Sequence, residues 1–291
     1  MRSWHDGPMA GDVRTWMGEQ VRSRVIGPDA SSRHGELFDT DEPGWFDDDA
    51  PIRRVHGDAS MFIGGLRALL FQSLHPLAMA GVADHSDYRR DPWGRLQRTA
   101  DFLAATTFGP ASQARQAVDR VHRVHRRVVG TGPGGEPYEA NDPHLLEWVH
   151  LAEIDSFLAA HDRYGSDPLT GDERDQYVAD TAVVARALGV IDPPETEARL
   201  RVRLAAFRPE LRGTKPARDA ARYLLLQPPL PFAARAPYGL IAGAAVALMP
   251  AWTRLPLRLP WLPVSETIAL RPAGEIVTRT LRWAATAPPP T

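Results

Sequence analysis

The chain has 291 residues, of which 43% are hydrophobic, and a formal net charge of −2, so it can bury one large core and has no basic excess that would favour nucleic acid. Cysteine is absent. This excludes disulfides, thiolate-ligated haem, iron–sulfur clusters and cysteine-based zinc sites, and it leaves histidine, carboxylate and tyrosine as metal ligands.

Residues 1–58 are rich in glycine, proline and aspartate, and they predict an irregular lead-in packed on the core. One short helix is expected near Val13 to Val25. The N-terminal stretch contains no apolar run of signal-peptide length, so the sequence predicts no export by that route. Together with the absence of cysteine, this favours a cytoplasmic location.

The stretch from Ser60 to Val82 begins the predicted helical core. It is apolar on nearly every face except at Arg67, Gln72 and His75, as expected of a helix buried within a bundle. Pro76 is expected to limit or kink this helix.

Helical periodicity with almost no strand alternation continues through the rest of the core, which we place at residues 59–228. Glycines are expected to end two of the helices, and the sequence GTGPGGEPYEAND predicts a loop. Asn141 or Asp142 can then cap a helix whose first turn holds Pro143. The predicted helices cover residues 94–109, 110–130, 144–164, 170–190, 195–211 and 215–227. The fold class is therefore mainly α, with one helical bundle-like domain.

Residues 229–291 are predicted to form proline-rich apolar helices that complete the same domain. The apolar stretch 236–253 approaches the length of the shortest membrane-spanning helices, but it contains two prolines and two glycines. A buried helix of the core is the favoured interpretation. A re-entrant or membrane-touching element is the alternative, because the following LPLRLPWLPV offers Arg, Trp and Leu side chains suited to a membrane interface.

Several polar side chains share helix faces with apolar residues, because residues three and four apart lie on the same side of a helix. Arg95 and Thr99 form one such pair, and His122 and His125 form another. The stripe of His150 also contains Leu146, Glu153 and Phe157. Burying such groups costs free energy unless each has a partner. They are either separately satisfied core residues or the lining of one shared polar cofactor.

Two iron cofactors are compatible with these residues. A dinuclear iron site in a helical bundle uses Glu-x-x-His units, and Glu147 with His150 matches one such unit. A second unit is missing, since His122 is preceded at this spacing by the shorter Asp119. Haem requires only one axial histidine from the protein. The residue types therefore leave haem and dinuclear iron open.

A longer pattern resembles the family of MpaB and the rubber oxygenases (latex clearing proteins). It consists of the run GGLRALLFQSLHPLAMAGVADHSDYRRDPWGRLQRTADFLAATTFG, followed by VHRRVVGTG and YEANDPHLLEWVHLAEIDSF. The resemblance is close from Gly64 to Phe157 and looser over the helical remainder. It implies a helical, globin-like core that binds one b-type haem and uses dioxygen on hydrophobic, often isoprenoid, substrates.

The resemblance also implies roles for individual residues. The family's axial histidine is followed by two residues and a valine, which matches His125 and makes it the expected metal ligand. An arginine and a threonine four residues apart, similar to Arg95 and Thr99, are expected near the haem and its oxygen. His150 matches a later histidine expected beside the cofactor, although Trp148 replaces the threonine two positions before it.

His75 and His85 belong to the family's short signature and are expected to line the catalytic pocket, whereas His122 and Arg67 are expected beside the cofactor. His122 departs from the rubber oxygenases, which carry an arginine there. The partners implied by the resemblance are dioxygen and a small hydrophobic substrate. The resemblance is also compatible with an electron donor and with a peripheral membrane contact. The alternatives are a dinuclear non-haem iron oxygenase and a non-catalytic helical protein that binds haem or a membrane.

Overall fold

Helices make up most of the computed structural model, which describes residues 42–86, 91–228 and 230–285, and the predicted mainly α class is confirmed. In chain order the helices are α1 (Pro51–His56), α2 (Met61–Gln72), α3 (Pro76–His85), α4 (Pro92–Thr107), α5 (Ala111–His125), α6 (Pro143–Tyr164), α7 (Gly171–Ala187), α8 (Glu197–Phe207), α9 (Lys215–Leu226), α10 (Phe232–Leu248), α11 (Ala251–Leu257), the short α12 (Pro263–Ser265) and α13 (Arg271–Ala285). A 3-10 turn (Arg208–Glu210) follows α8, and a π-helical turn (Glu266–Leu270) joins α12 to α13. The strands β1 (Val129–Thr131) and β2 (Pro137–Glu139) pair in antiparallel fashion.

The centre of the molecule is the pair α2 and α6, which share the largest helix–helix contact. Because α2 is apolar on most sides, it also packs against α10. Gly64 lets α2 approach α6 closely, since a Cβ atom there would lie 3.1 Å from the ring of Phe157 and 3.2 Å from Ala160. The largest fully buried side chains around this pair include Trp148, Tyr177, Ile52, Leu70, Leu74 and Leu151.

Local sequence signals set the starts of α6 and α7. Asp142 caps α6 by accepting a hydrogen bond from the backbone N–H of His144 at 2.9 Å, and Pro143 occupies the first turn. Thr170 and Glu173 form a reciprocal capping box at the start of α7. Both helix starts agree with the sequence prediction.

The expected limit at Pro76 is confirmed, and the stretch from Ser60 to Val82 is divided there. The backbone of His75 is extended, and Pro76 opens α3 in its first turn, so the stretch forms two helices. Proline cannot continue the hydrogen-bond ladder of the preceding helix, but its fixed φ suits the start of a new one.

The region between α5 and α6 also differs from the prediction. Helix α5 ends at His125, well before Gly130. The chain then forms a β-hairpin where a loop was expected, with Val129 opposite Glu139 and Gly130 opposite Tyr138. The side chain of Tyr138 is buried, and this anchors a hairpin too short to show strand alternation in the sequence.

The carboxy-terminal helices complete the core. Ala242, Ala244, Ala245 and Val246 of α10 are buried, as expected of a core helix. Within the described residues no single helix has the length and apolarity needed to cross a membrane. The helices Ala234–Leu248 and Ala251–Leu257 have that length and apolarity only when taken together, and they are bent by 118° relative to each other. The buried ion pair between Arg254 and Glu266 holds α11 against the turn that precedes α13.

The lead-in is described from Glu42 onward, so the helix expected near Val13 to Val25 lies outside the described residues. The described part packs on the core through Ile52 and Val55 of α1.

Candidate functional site

His125 is the last residue of α5, where the helix gives way to the β-hairpin. Its ring is half-buried, and its Nδ1 atom is buried without a hydrogen-bond partner. Burial and the neighbouring His122 lower the pKa of His125, while Ala140 and Asn141 beside the ring oppose this shift. His125 is therefore a neutral imidazole at pH 7 with a ring nitrogen that no protein group uses, and metal ligation requires a neutral imidazole.

His122 lies one turn before His125 and has a packing contact of its own. Its Nε2 atom is 3.1 Å from the carbonyl oxygen of Ala187, at the end of α7. Gly189, whose φ of 101° suits glycine, follows α7, and a Cβ atom at this position would lie 3.9 Å from the His122 ring. These contacts join α5 to α7 without a cofactor.

Arg67 is buried on α2, and protein groups accept its hydrogen bonds. It donates to Ser156 Oγ at 2.6 Å, to Asp155 Oδ2 at 2.8 Å and to the carbonyl oxygen of Leu248 at 3.0 Å. The network ties α2 to α6 and α10 and accounts for the burial of the guanidinium group.

His85 and Arg95 lie around the end of α3, whereas Thr99 contacts only its own helix, α4, among the hydrogen bonds of the described residues. Arg95 is half-buried, and its Nη1 donates to Ser86 Oγ at 2.5 Å. Thr99 is exposed, and its hydroxyl donates to the Arg95 carbonyl oxygen at 3.1 Å. His85 is also exposed, with Nε2 at 3.0 Å from the carbonyl oxygen of Val129 in β1. The structure thus groups His85 and Arg95 around the end of α3.

A second polar group follows the stripe of α6 that contains His150. The Nε2 atom of His150 is buried without a partner, and burial lowers the pKa of this residue to about 4. One turn later, burial raises the pKa of Glu153 to about 7, although a hydrogen bond with Gln72 acts in the opposite direction. At neutral pH, His150 is uncharged and Glu153 is close to half protonated.

Helices α1 and α7 add His56 and Tyr177 to this group. Tyr177 is fully buried, its hydroxyl lies 3.4 Å from His56 Nε2, and burial and Glu153 raise its pKa well above the usual value. His56 Nδ1 lies 2.8 Å from Thr107 Oγ1, and burial lowers the pKa of His56 to about 3. The sequence analysis missed both residues, because only the tertiary packing brings α1 and α7 to the ring of Phe157, 5.4 Å from that of His56.

His56, His150 and Glu153 are half-buried, and burial is the largest cause of each pKa shift. We call these three residues and Tyr177 the interior polar cluster. Apart from the ionised fraction of Glu153, the cluster is uncharged at neutral pH.

His75 has different neighbours. It is buried at the N-cap of α3, and its Nε2 lies 3.3 Å from Glu210 Oε2. His144 Nε2 lies 2.9 Å from the same oxygen, and the three potential ligand atoms are all within 4.8 Å of one another. The structure therefore groups His75 with two residues that the sequence analysis did not single out.

The residues beside His150 in sequence face other neighbours. Trp148 is fully buried and donates its ring N–H to the Gln72 carbonyl oxygen at 3.0 Å. Glu147 is buried and accepts a hydrogen bond from Arg203 at 2.5 Å. Because Arg203 already neutralises this carboxylate, Glu147 is poorly suited to share a dinuclear iron site with His150.

These observations define a mainly α protein with a neutral, half-buried histidine at the end of α5 and a polar cluster around α6. A family model described as "ER-bound oxygenase mpaB/B'/Rubber oxygenase, catalytic domain" matches residues 53–286. The chain belongs to this oxygenase family, as its sequence pattern predicted, and family membership places it among the oxidoreductases. No curated protein and no solved structure matches the chain.

Proposed function

We propose that the protein is a haem-dependent oxygenase that uses dioxygen on a small hydrophobic substrate. The observation that carries the proposal is the state of His125, which is neutral, half-buried and has one ring nitrogen without a protein partner. The family supports the class of reaction. The histidine and valine spacing at His125 and Val128 supports haem b as the cofactor.

The surroundings of His125 fit an axial ligand. A neutral imidazole binds iron through one nitrogen while a hydrogen-bond acceptor orients the other. The backbone of Ala140 and the side chain of Asn141 lie beside the ring and favour a proton on it. In the proposed site His125 holds the haem, and Ala140 and Asn141 set the orientation of its ring.

Haem would supply the iron that activates dioxygen, and the chain would supply protons and charge stabilisation. Glu153 is the proposed proton carrier, because a pKa of about 7 lets its carboxyl group hold or release a proton at neutral pH. His56 and His150 stay neutral beside it and add no competing charge. Arg95 is the proposed stabiliser of negative charge on reduced oxygen.

An apolar substrate suits the interior polar cluster better than a charged one. A substrate at this cluster would lie beside Phe157 and the neutral imidazoles of His56 and His150, and a charged ligand would lose its hydration there. We therefore assign the protein a small hydrophobic substrate, for which isoprenoids are the first compounds to test.

The absorption spectrum of the purified protein tests the cofactor and its ligand. The wild type is expected to contain one haem per chain and to show a Soret band. His125→Ala is expected to abolish haem retention, whereas His122→Ala on the same helix should retain it, because the His122 ring bonds to the Ala187 carbonyl. An unchanged Soret band in His125→Ala, or equal loss in both variants, would contradict the assignment.

The alternatives have separate outcomes. Two irons per chain without a Soret band would favour a dinuclear iron oxygenase. Bound haem without incorporation of labelled dioxygen into isoprenoid substrates would favour a non-catalytic haem protein. Absence of any cofactor, together with lipid binding, would favour a non-catalytic membrane-associated protein.

We propose in addition that the carboxy-terminal segment contacts a membrane peripherally. Between residues 255 and 268 five large hydrophobic side chains are 57–87% exposed, namely Leu255, Trp261, Leu262, Val264 and Ile268. The exposed Arg258 lies within this segment, the exposed Arg271 follows it, and both suit anionic headgroups. The words "ER-bound" in the family description support the same contact.

A further inference from the structure

Three side chains from distant parts of the sequence meet where the corner between α2 and α3, the start of α6 and the 3-10 turn after α8 come together. Glu210 Oε2 lies 3.3 Å from His75 Nε2 and 2.9 Å from His144 Nε2. We propose that His75, His144 and Glu210 bind one zinc ion. We call this group the zinc clasp.

Two of the three separations within the zinc clasp are close to those of a tetrahedral site. Zinc bonds of about 2.0–2.1 Å to nitrogen and oxygen place neighbouring ligand atoms about 3.3 Å apart. The observed 2.9 Å and 3.3 Å separations from Glu210 need shifts of only a few tenths of an ångström, and the two histidine nitrogens lie within 4.8 Å of each other. Two histidines and one glutamate form an established zinc ligand set with water in the fourth position. The side chains of His144 and Glu210 are 51% and 42% exposed, which leaves room for that water.

The hydrogen bonding of His75 is compatible with zinc. Its Nδ1 lies 3.5 Å from the backbone nitrogen of Ala78, which is the outer limit of a hydrogen bond. Losing so weak a bond costs little, so Nδ1 can carry the proton while Nε2 binds the metal.

Packing holds the ligands in position before an ion binds. The His144 ring stacks on Phe207 at a centroid distance of 4.5 Å, and the His75 ring lies 6.3 Å from that of Phe207. Next to His75, the Leu74 carbonyl oxygen accepts the backbone N–H of Arg212 at 2.7 Å, which fixes the chain just after Glu210. Ligands fixed by packing lose less conformational entropy on binding.

Zinc at this position would stabilise the fold rather than carry oxygen chemistry. The ion would link three segments that are far apart in sequence, and the unfolded chain contains no such site, so its binding free energy would add to stability. The same ligand set also serves non-haem iron(II) oxygenases. However, the side chains of His144 and Glu210 lie at the surface, which favours zinc.

Zinc titration of the full chain, after a chelator has removed loosely held metal, tests the proposal. We expect saturation at one zinc per chain and a rise in Tm, with zinc counted separately from haem iron. His144→Ala and Glu210→Gln are each expected to weaken zinc affinity by about 100-fold or more, because one of three protein ligands is lost. Glu195→Gln, at an exposed carboxylate paired with Arg186, is the matched control and should bind zinc like the wild type.

Two ligand variants are used because His144→Ala also removes the ring that stacks on Phe207 and could therefore weaken the fold. Glu210→Gln preserves the shape of the side chain, so a loss of zinc affinity in this variant does not reflect a folding defect. Absence of saturable zinc binding in the wild type, or equal affinity in all variants, would overturn the proposal. Tighter binding of Fe²⁺ than of Zn²⁺ under anaerobic conditions would overturn the choice of metal. Haem content is expected to stay constant in these variants, so failure here leaves the haem proposal standing.

Discussion

Glu153 shows how the fold sets the charge of one residue. Glu153 lies on the same face of α6 as His150 and Phe157, within the interior polar cluster. Its charged form loses hydration there, so its pKa rises from 4.5 to about 7. Because the folded state binds the proton more tightly than the unfolded state, this group stabilises the protein below pH 4.5. The stabilisation is lost as the pH rises through 7.

Glu153→Gln is therefore expected to change the pH dependence of stability. The variant cannot ionise at this position, so relative to the wild type it should gain about 2–3 kcal/mol in free energy of unfolding between pH 5 and pH 8. His56 and His150 titrate in both proteins, and their contributions cancel in the difference. Urea unfolding at the two pH values, with equal cofactor content in both proteins, measures the effect.

Glu195→Gln, at an exposed carboxylate, serves again as the control. A difference between Glu153→Gln and the wild type that stays flat with pH would show that the pKa of Glu153 is not raised, and Glu153 could then no longer be the proposed proton carrier.

Individual candidate site residues were predictable only where the family resemblance or a local pattern carries the information. The resemblance to the rubber oxygenases singles out His125, and helical periodicity places Glu153 on the stripe of His150. Which helices face that stripe depends on the packing of α1 and α7, so His56 and Tyr177 were missed. For the same reason the sequence could not show that His75 meets His144 and Glu210.

At the scale of elements, the close approach of α2 and α6 rests on Gly64. A Cβ atom at this position would lie 3.1–3.2 Å from Phe157 and Ala160, which is tighter than ordinary packing. Gly64→Ala is therefore expected to lower the free energy of unfolding by about 1–3 kcal/mol, because α2 or α6 must shift. Chemical denaturation measures the change.

Gly65 provides the matched control on the same helix, because a Cβ atom there meets nothing within 4 Å. Gly65→Ala should leave stability unchanged or raise it by about 0.5–1 kcal/mol, as expected when alanine replaces glycine inside a helix. Similar effects of the two substitutions would mean that helix propensity rather than interhelical distance decides the outcome.

The starts of elements were easier to predict than their ends. Asp142 and Thr170 are the N-cap residues of α6 and α7, and N-capping depends on only a few adjacent residues. The end of α5 at His125 and the hairpin that follows depend on the burial of Tyr138 against α3, a tertiary contact. No adjacent sequence signal reports such a contact.

At the scale of the whole molecule, one partly buried ion pair connects the first and last helical regions of the described chain. Asp58, just after α1, accepts hydrogen bonds from Arg282 of α13 at 2.7 Å and 3.0 Å. Burial would raise the pKa of Asp58, but the hydrogen bonds from Arg282 and Ser60 outweigh it and lower the pKa. The pair holds α13 against the core. The preceding segment 255–268 exposes the five large hydrophobic side chains that form the proposed membrane contact.

That surface gives the whole-molecule prediction. Trp261→Ser combined with Ile268→Ser is expected to weaken binding to vesicles containing anionic lipids by about tenfold or more, because each substitution removes apolar surface that the lipid would bury. Ile191→Ser is the matched control, since Ile191 is 82% exposed but lies on the chain after α7. Cosedimentation with vesicles measures the affinities. Unchanged binding of the double variant, or an equal loss in Ile191→Ser, would mean that the exposed carboxy-terminal residues do not form the membrane contact.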